Sequence, residues 1–157
     1  MSRRHSATKR ELKPDLKHGS AVVSQFIGHM LKDGRKSTAS RIIYGAIEDI
    51  REKVAGQDPI QVLERAIDNA RPQLEVKSRR VGGATYQVPI EVNAIRGRSL
   101  AMRWIIGYAG SRKGMGYSRA LAAELVDAFN NTGNAIKKRD DVHKMAQANR
   151  AFAHYRW

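Results

Sequence analysis

Two stretches hold the residue types that could cradle a phosphate: GSRKGMGYS at residues 110–118 and KSRRVGG at residues 77–83. A P-loop reads GxxxxGK followed by Ser or Thr, because its lysine must reach the β- and γ-phosphates while backbone N–H groups wrap the rest. Residues 110–118 lack that lysine and no buried apolar strand leads into them; GxGxxG is also absent. The histidines, at positions 5, 18, 29, 143 and 154, show neither HxxxH nor HExxH spacing, and cysteine is missing altogether. Thiolate catalysis, disulfides and cysteine-based zinc sites are therefore excluded. The adjacent acids Glu48-Asp49 and Asp140-Asp141 do not converge, since neighbours on a helix do not face each other. His29 reads as a helix-surface or partly buried side chain, and His143 and His154, set among cations, suit phosphate contact better than a metal. No enzyme, cofactor or metal is expected.

What remains is charge. The chain has 157 residues, 29 Lys+Arg against 15 Asp+Glu, a formal net charge of +14 and a hydrophobic fraction of 41%. That is enough apolar material for one folded unit, and enough positive charge to ask for an acidic partner. The surplus is uneven. Residues 1–18 carry six cations against two acids, and residues 19–70 carry seven of each. Residues 71–103 hold seven against two, and residues 104–157 nine against four. Four clusters stand out: Arg3, Arg4, Lys9 and Arg10; Lys77, Arg79 and Arg80; Arg96, Arg98 and Arg103; Lys137, Lys138 and Arg139. Any one of them alone reads as a solvated face. Together, around a neutral scaffold, they predict a nucleic-acid footprint.

The elements that must carry these clusters follow from periodicity. Val22, Val23, Phe26, Ile27, Met30 and Leu31 recur at helical spacing after the cap Ser20, and Asp33-Gly34 stops them. A second helix runs from about Ser37 to Val54. Asp58-Pro59 opens a third that ends before Pro72. The period then becomes two: Tyr86, Val88, Ile90 and Val92 alternate with Gln87, Pro89 and Glu91. EVKSRRV is the partner strand and Gly82-Gly83 the turn, so the glycines of KSRRVGG serve a hairpin. Helical spacing returns at LAMRWIIGYA, then after Ser118 as a cap, then from about Ala135 into a tail, AFAHYRW. The expected fold is mainly α, about six helices forming one body with a protruding two-stranded antiparallel ribbon. One domain spans 1–157, with a basic arm at 1–18, the ribbon at 75–92 and a basic aromatic tail at 148–157.

Cations spread over arm, ribbon, helix starts and tail suit wrapping into folded RNA better than placing one helix in a DNA groove. Tyr86, Tyr155 and Trp157 offer rings for base stacking; the plainer reading of Tyr86 is that it packs the ribbon on its helix. No apolar run approaches a membrane span. The opening MSRRHSATKRELKPD has no apolar core or cleavage site and predicts no secretory signal.

The residues also carry a resemblance. The opening MSRR, LKDGRKSTASRIIYGAI (31–47), RPQLEVKSRRVGGATYQVPIEV (71–92), LAMRWII (100–106) and AIKKRDDVHKMAQANRAFAHYRW (135–157) strongly resemble bacterial-type ribosomal protein seven of the small subunit. Order and spacing are kept from one end to the other. The resemblance implies a non-catalytic structural protein, cytoplasmic, in the small ribosomal subunit. It further implies that the protein binds the 3′ major domain of 16S rRNA, organises the subunit head and neighbours other head and platform proteins. The ribbon would approach exit-site tRNA and mRNA. Carried over by motif, Arg3, Arg4, Lys9, Arg10, Lys36, Lys77, Arg79, Arg80, Arg96, Arg103, Lys137, Lys138 and Arg139 would face rRNA. Arg79, Arg80, Gly82, Gly83 and Tyr86 would lie nearest tRNA and mRNA. Some members bind their own messenger RNA to limit synthesis, which the resemblance allows here without requiring it. Residues 107–117 are richer in glycine than the family's connection, and no RNA role is carried to Arg112 or Lys113.

Overall fold

A computed structural model describes residues 11–54 and 56–155. Arg3, Arg4, Lys9, Arg10 and Trp157 lie outside the described residues.

Three helices come first. Helix α1 (Ala21–Met30) begins where the Val23 N–H donates to Ser20 Oγ at 3.4 Å, and buries Val23, Phe26 and Ile27. Helix α2 (Lys36–Lys53) turns Ala39, Ile43, Ala46, Ile47 and Ile50 inward. Helix α3 (Pro59–Ala70) starts as expected, with proline at its first position and the Ile60 N–H donating to Asp58 Oδ1 at 3.1 Å. These stripes recur every three or four residues, so each helix has one face that must leave water.

Strands β1 (Leu74–Val81) and β2 (Ala84–Glu91) pair antiparallel, from Leu74 opposite Glu91 to Val81 opposite Ala84. The two-residue turn between them needs positive φ at both positions, and Gly82 (56°) and Gly83 (91°) supply it without a Cβ to clash. Val88, opposite Lys77 midway along the pair, is the one ribbon side chain that is fully buried; the residues around the turn, Gly82 to Thr85, are exposed.

Helix α4 (Ala94–Ser111) begins six residues earlier than Leu100, where the sequence pattern places it. Asn93 caps it, its Oδ1 accepting from the Ile95 N–H at 3.1 Å. Helix α5 (Tyr117–Phe129) follows Gly116, and Ser118 is not its cap. Instead Ser118 Oγ donates to the Ile42 carbonyl at 3.2 Å and ties α5 to α2. Helix α6 (Gly133–Ala148) closes the body, and Arg150–Tyr155 form a 3₁₀ turn where an open tail is expected. The core gathers one stripe from each of the six α-helices, with Phe26, Ile43, Ile47, Leu63, Ile67, Met102, Ile105, Leu121 and Leu125 among its fully buried members. Burying a side chain of that size contributes about 1.5–3 kcal/mol.

Candidate nucleic-acid interface

The ribbon presents its cations unequally. Lys77 and Arg80 are exposed, on opposite faces by the strand period. Lys77 Nζ lies 3.4 Å from Glu75 Oε1, and Arg80 has no acid paired with it among the described residues. Arg79 is half-buried, and its guanidinium donates to the Tyr155 carbonyl. Tyr86, opposite Arg79 in the register, packs its ring 5.2 Å from that of Phe152 and 5.1 Å from that of Tyr155. The tail is therefore clasped to the ribbon: Arg79 holds its backbone while Tyr86 holds its rings. Tyr86 is not an open stacking platform, and its packing partners are in the tail.

At the ribbon's root, Arg96 Nε donates to both Glu75 oxygens, at 3.0 and 2.9 Å, and ties α4 to β1. His143 Nε2 accepts the Gln73 N–H at 3.0 Å, so that nitrogen is engaged in joining α6 to the ribbon, not offered to a phosphate. His154 is exposed, with its ring 4.0 Å from that of Tyr155 and its Nδ1 against the Ala151 carbonyl at 2.8 Å.

On α4, Arg103 is exposed and reaches back one turn to the Ser99 carbonyl at 3.3 Å. On α6, Lys137 is exposed, Lys138 half-buried, and Arg139 turned inward. The Arg139 guanidinium donates to the Asn69 carbonyl at 2.6 Å and to Asp140 Oδ1 at 2.7 Å, bridging α6 to the end of α3. Lys36 is exposed as the first residue of α2, beside Arg35 at the cap. A helix N-terminus already carries partial positive charge, so cations there oppose the dipole and do nothing for the helix. Together they make an anion-attracting corner.

Two charged networks escaped the sequence reading. Arg112 donates through Nε to Glu124 Oε2 at 3.0 Å and through Nη2 to both Glu124 and Asp127. Glu124 is fully buried, and its Oε1 accepts the Ala135 N–H in the first turn of α6 at 3.0 Å. Burial works against the Arg112 charge, but the hydrogen bonds it donates to Asp127 and Glu124 hold its pKa above the usual arginine value. This arginine fastens the α4–α5 connection to the start of α6. The second network ties the base of the arm to α2. The Tyr44 hydroxyl donates to Asp15 Oδ1 at 2.7 Å, and Lys17 Nζ meets Glu48 Oε1 at 2.7 Å. Burial pushes the Asp15 carboxyl up, yet the Tyr44 hydroxyl and the N–H groups of His18 and Lys17 together hold it below the ordinary carboxylate value. Asp15 and Tyr44 lie 29 residues apart, and no local pattern announces such a pair.

Among the described residues no three His, Asp or Glu side chains converge in a metal-binding group, and no helix is long and apolar enough to cross a membrane. Of the candidate cations among the described residues, Lys36, Lys77, Arg80, Arg96, Arg103 and Lys137 are exposed, and all of these but Arg96, which is committed to Glu75, are open to a partner.

The family model for ribosomal protein S7p/S5e matches residues 2–150. Small ribosomal subunit protein uS7 of Dictyoglomus turgidum is 58% identical over 157 residues, covering all of both chains. Its namesakes from Afipia carboxidovorans and Protochlamydia amoebophila are 56% and 55% identical over the same full length. With a helical body, a cation-bearing ribbon and likeness running over nearly the whole chain, the protein belongs to the ribosomal protein S7p/S5e family.

Proposed function

We propose that the protein is a structural constituent of the small ribosomal subunit, acting in the cytoplasm as one rRNA-binding unit over residues 1–157. Membership of a ribosomal protein family makes it a structural protein and not an enzyme, with rRNA and other ribosomal proteins as partners. The finer reading is that it binds the 3′ major domain of 16S rRNA and helps nucleate the head of the subunit. Its ribbon tip, Arg80 with Gly82 and Gly83, is directed at exit-site tRNA and mRNA. Binding of its own messenger RNA would use the same cations.

One observation carries this reading: exposed cations stand on four different elements, α2, β1, α4 and α6, around a closed core. Such spacing suits several RNA helices converging on one protein, where phosphates position and shape selects. Lys36, Lys77, Arg80, Arg103 and Lys137 are assigned as phosphate contacts. Arg79, Arg96 and Arg139 contribute mainly by holding ribbon, tail and helices in place, and Lys138 sits between the two groups.

The test is binding to a 3′ major domain transcript across salt concentrations. Each phosphate contact adds roughly −0.7 to −0.9 to the slope of log K against log salt. Five contacts should give a steep fall, with a defined protected region in the RNA. Affinity that stays flat with salt would rule the mechanism out, and equal affinity for random duplex DNA would make the protein a general basic binder.

A further inference from the structure

We propose that the groove between the α1–α2 connection and the C-terminal half of α4 is a pocket for one unpaired nucleotide of the bound RNA. The inference rests on the RNA-binding reading above and adds a site to it.

The groove has a volume of about 580 Å³. Its floor is apolar, from Met30, Ile42 and Ile106, and its length along α4 is opened by two glycines, Gly107 and Gly110. A methyl group at Gly107 would meet no atom within 4 Å, so this stretch of helix is bare because nothing fills it. At Gly110 a methyl group would lie 3.3 Å from Cε2 of Tyr117. Glycine there lets the Tyr117 ring lie against the helix as one wall of the groove. The ring is held, since its hydroxyl donates to the Ile106 carbonyl at 2.8 Å. Burial also pushes the Tyr117 pKa up, so that the donor keeps its proton. A fixed aromatic face beside an apolar floor is what an unstacked base needs, because every base offers a π-face.

The rim supplies the rest. Lys32 and Arg35 stand at the mouth, against one acid, Asp33, and Lys36 follows on α2. His29 completes the edge; burial and the nearby Arg103 hold its pKa below the usual histidine value, leaving a neutral ring able to hydrogen-bond a base. An apolar slot with a positive mouth favours an apolar ring that carries a phosphate on each side. A hydrophobic peptide would gain nothing from the cations, and duplex RNA would not enter the slot.

The experiment uses the full chain and a 3′ major domain transcript, with chemical probing of every base. In wild type, one unpaired base should be shielded and lose its reactivity. Gly107→Leu fills the slot at an open helical position, where leucine is the better helix former. It should restore that base's reactivity and weaken binding by roughly tenfold, the scale of one lost base stack, while the rest of the footprint holds and the thermal midpoint stays or rises. Gly107→Ala adds a single methyl and should give a smaller loss in the same direction. Lys32→Ala with Arg35→Ala should lower the salt slope by roughly 1.4, two phosphates at about 0.7 each. If wild type binds and Gly107→Leu leaves affinity and every base unchanged, the groove holds no nucleotide. If Gly107→Leu instead expels a neighbouring protein from reconstituted subunits with RNA binding intact, its occupant is a protein and the proposal falls. Failure of wild type to protect any RNA would overturn the RNA-binding reading together with the groove.

Discussion

Residues 77–83 and 110–116 are built from the same ingredients, arginine and lysine interleaved with glycine, although only the first belongs to a basic cluster of the expected footprint. The structure sends them in opposite directions. In the ribbon, Glu75 at the root takes Arg96 and Lys77, and Arg80 near the tip has no acidic partner among the described residues. In the α4–α5 connection, Arg112 is drawn onto Glu124 and Asp127, which come twelve and fifteen residues later in the chain. What distinguishes a cation that binds a partner from one that holds the fold is where the acids lie after folding. A run of positive charge does not contain that information.

The comparison can be broken most forcefully at Glu124. Glu124→Ala leaves the Arg112 guanidinium with Asp127 alone and strips the Ala135 N–H of its acceptor. Leaving that buried N–H without an acceptor costs about 1–3 kcal/mol, and the loosened Arg112 pair adds to the loss. A large drop in thermal midpoint is expected, with RNA affinity of the folded protein unchanged. If the midpoint held while affinity fell, Arg112 would belong with the ribbon cations and the contrast would collapse.

Tyr86→Ala tests the clasp, the part of the ribbon that faces the protein. The ring pairs with Phe152 and Tyr155 at just over 5 Å, and aromatic pairs contribute about 0.5–1.5 kcal/mol each beyond area burial. The expected result is a stability loss of about 1–3 kcal/mol, with faster hydrogen exchange in β2 and in residues 150–155. A loss of RNA affinity with unaltered exchange would instead make Tyr86 a base platform.

Arg80→Ala approaches the contrast from the other side. Thermal stability should move by less than about 0.5 kcal/mol, as for an exposed side chain without special bonds. Binding to the transcript should weaken several-fold, with a salt slope shallower by roughly 0.7, one phosphate contact. An unchanged slope would leave the ribbon tip without a phosphate. The same substitution is cleaner than an Arg79 and Arg80 double change, because Arg79 also holds the tail.

How far the fold can be read from the chain follows the same logic of distance. Ser20, Asp58-Pro59 and the stripes of α1 to α3 are local signals, and they place those helices to within a residue or two. The ribbon is legible because period two persists on both sides of Gly82-Gly83. The start of α4 is hidden because Ile95 is half-exposed and Arg96, Gly97 and Arg98 break the apolar rhythm; Asn93 is its one signal. The tail's fold is hidden for a different reason. Phe152 and Tyr155 announce themselves as aromatic, but their partner Tyr86 lies more than sixty residues upstream. Among the candidate site residues, being charged was legible and being free was not. Arg139 and Arg80 look alike in sequence, and only folding brings the Asn69 carbonyl to one of them.

The base of the arm gives the gentlest test, since Asp15 does near the surface what Glu124 does inside. Its carboxylate accepts from the Tyr44 hydroxyl and from the N–H groups of Lys17 and His18, at 2.7, 3.1 and 3.2 Å. Those bonds are stronger to the ionised group, so its pKa in the folded protein is lower than in the unfolded chain. A depressed folded value means the unfolded state takes up the proton first. The contribution is therefore complete above the ordinary value of 3.8 and is lost as pH falls through the lower folded value. Because the site is half-buried at the surface and lies outside the core, the effect on global stability should be small. The local effect should not be: below pH 4, chemical shifts of the Tyr44 ring and the His18 amide should move together while the core signals of Ile43 and Ile47 stay fixed. Asp15→Asn should abolish that joint movement, since the amide does not titrate in this range. If Tyr44 and His18 still shifted together in Asp15→Asn, the acid holding the arm's base would be another group, and the surface counterpart of Glu124 would have to be sought elsewhere.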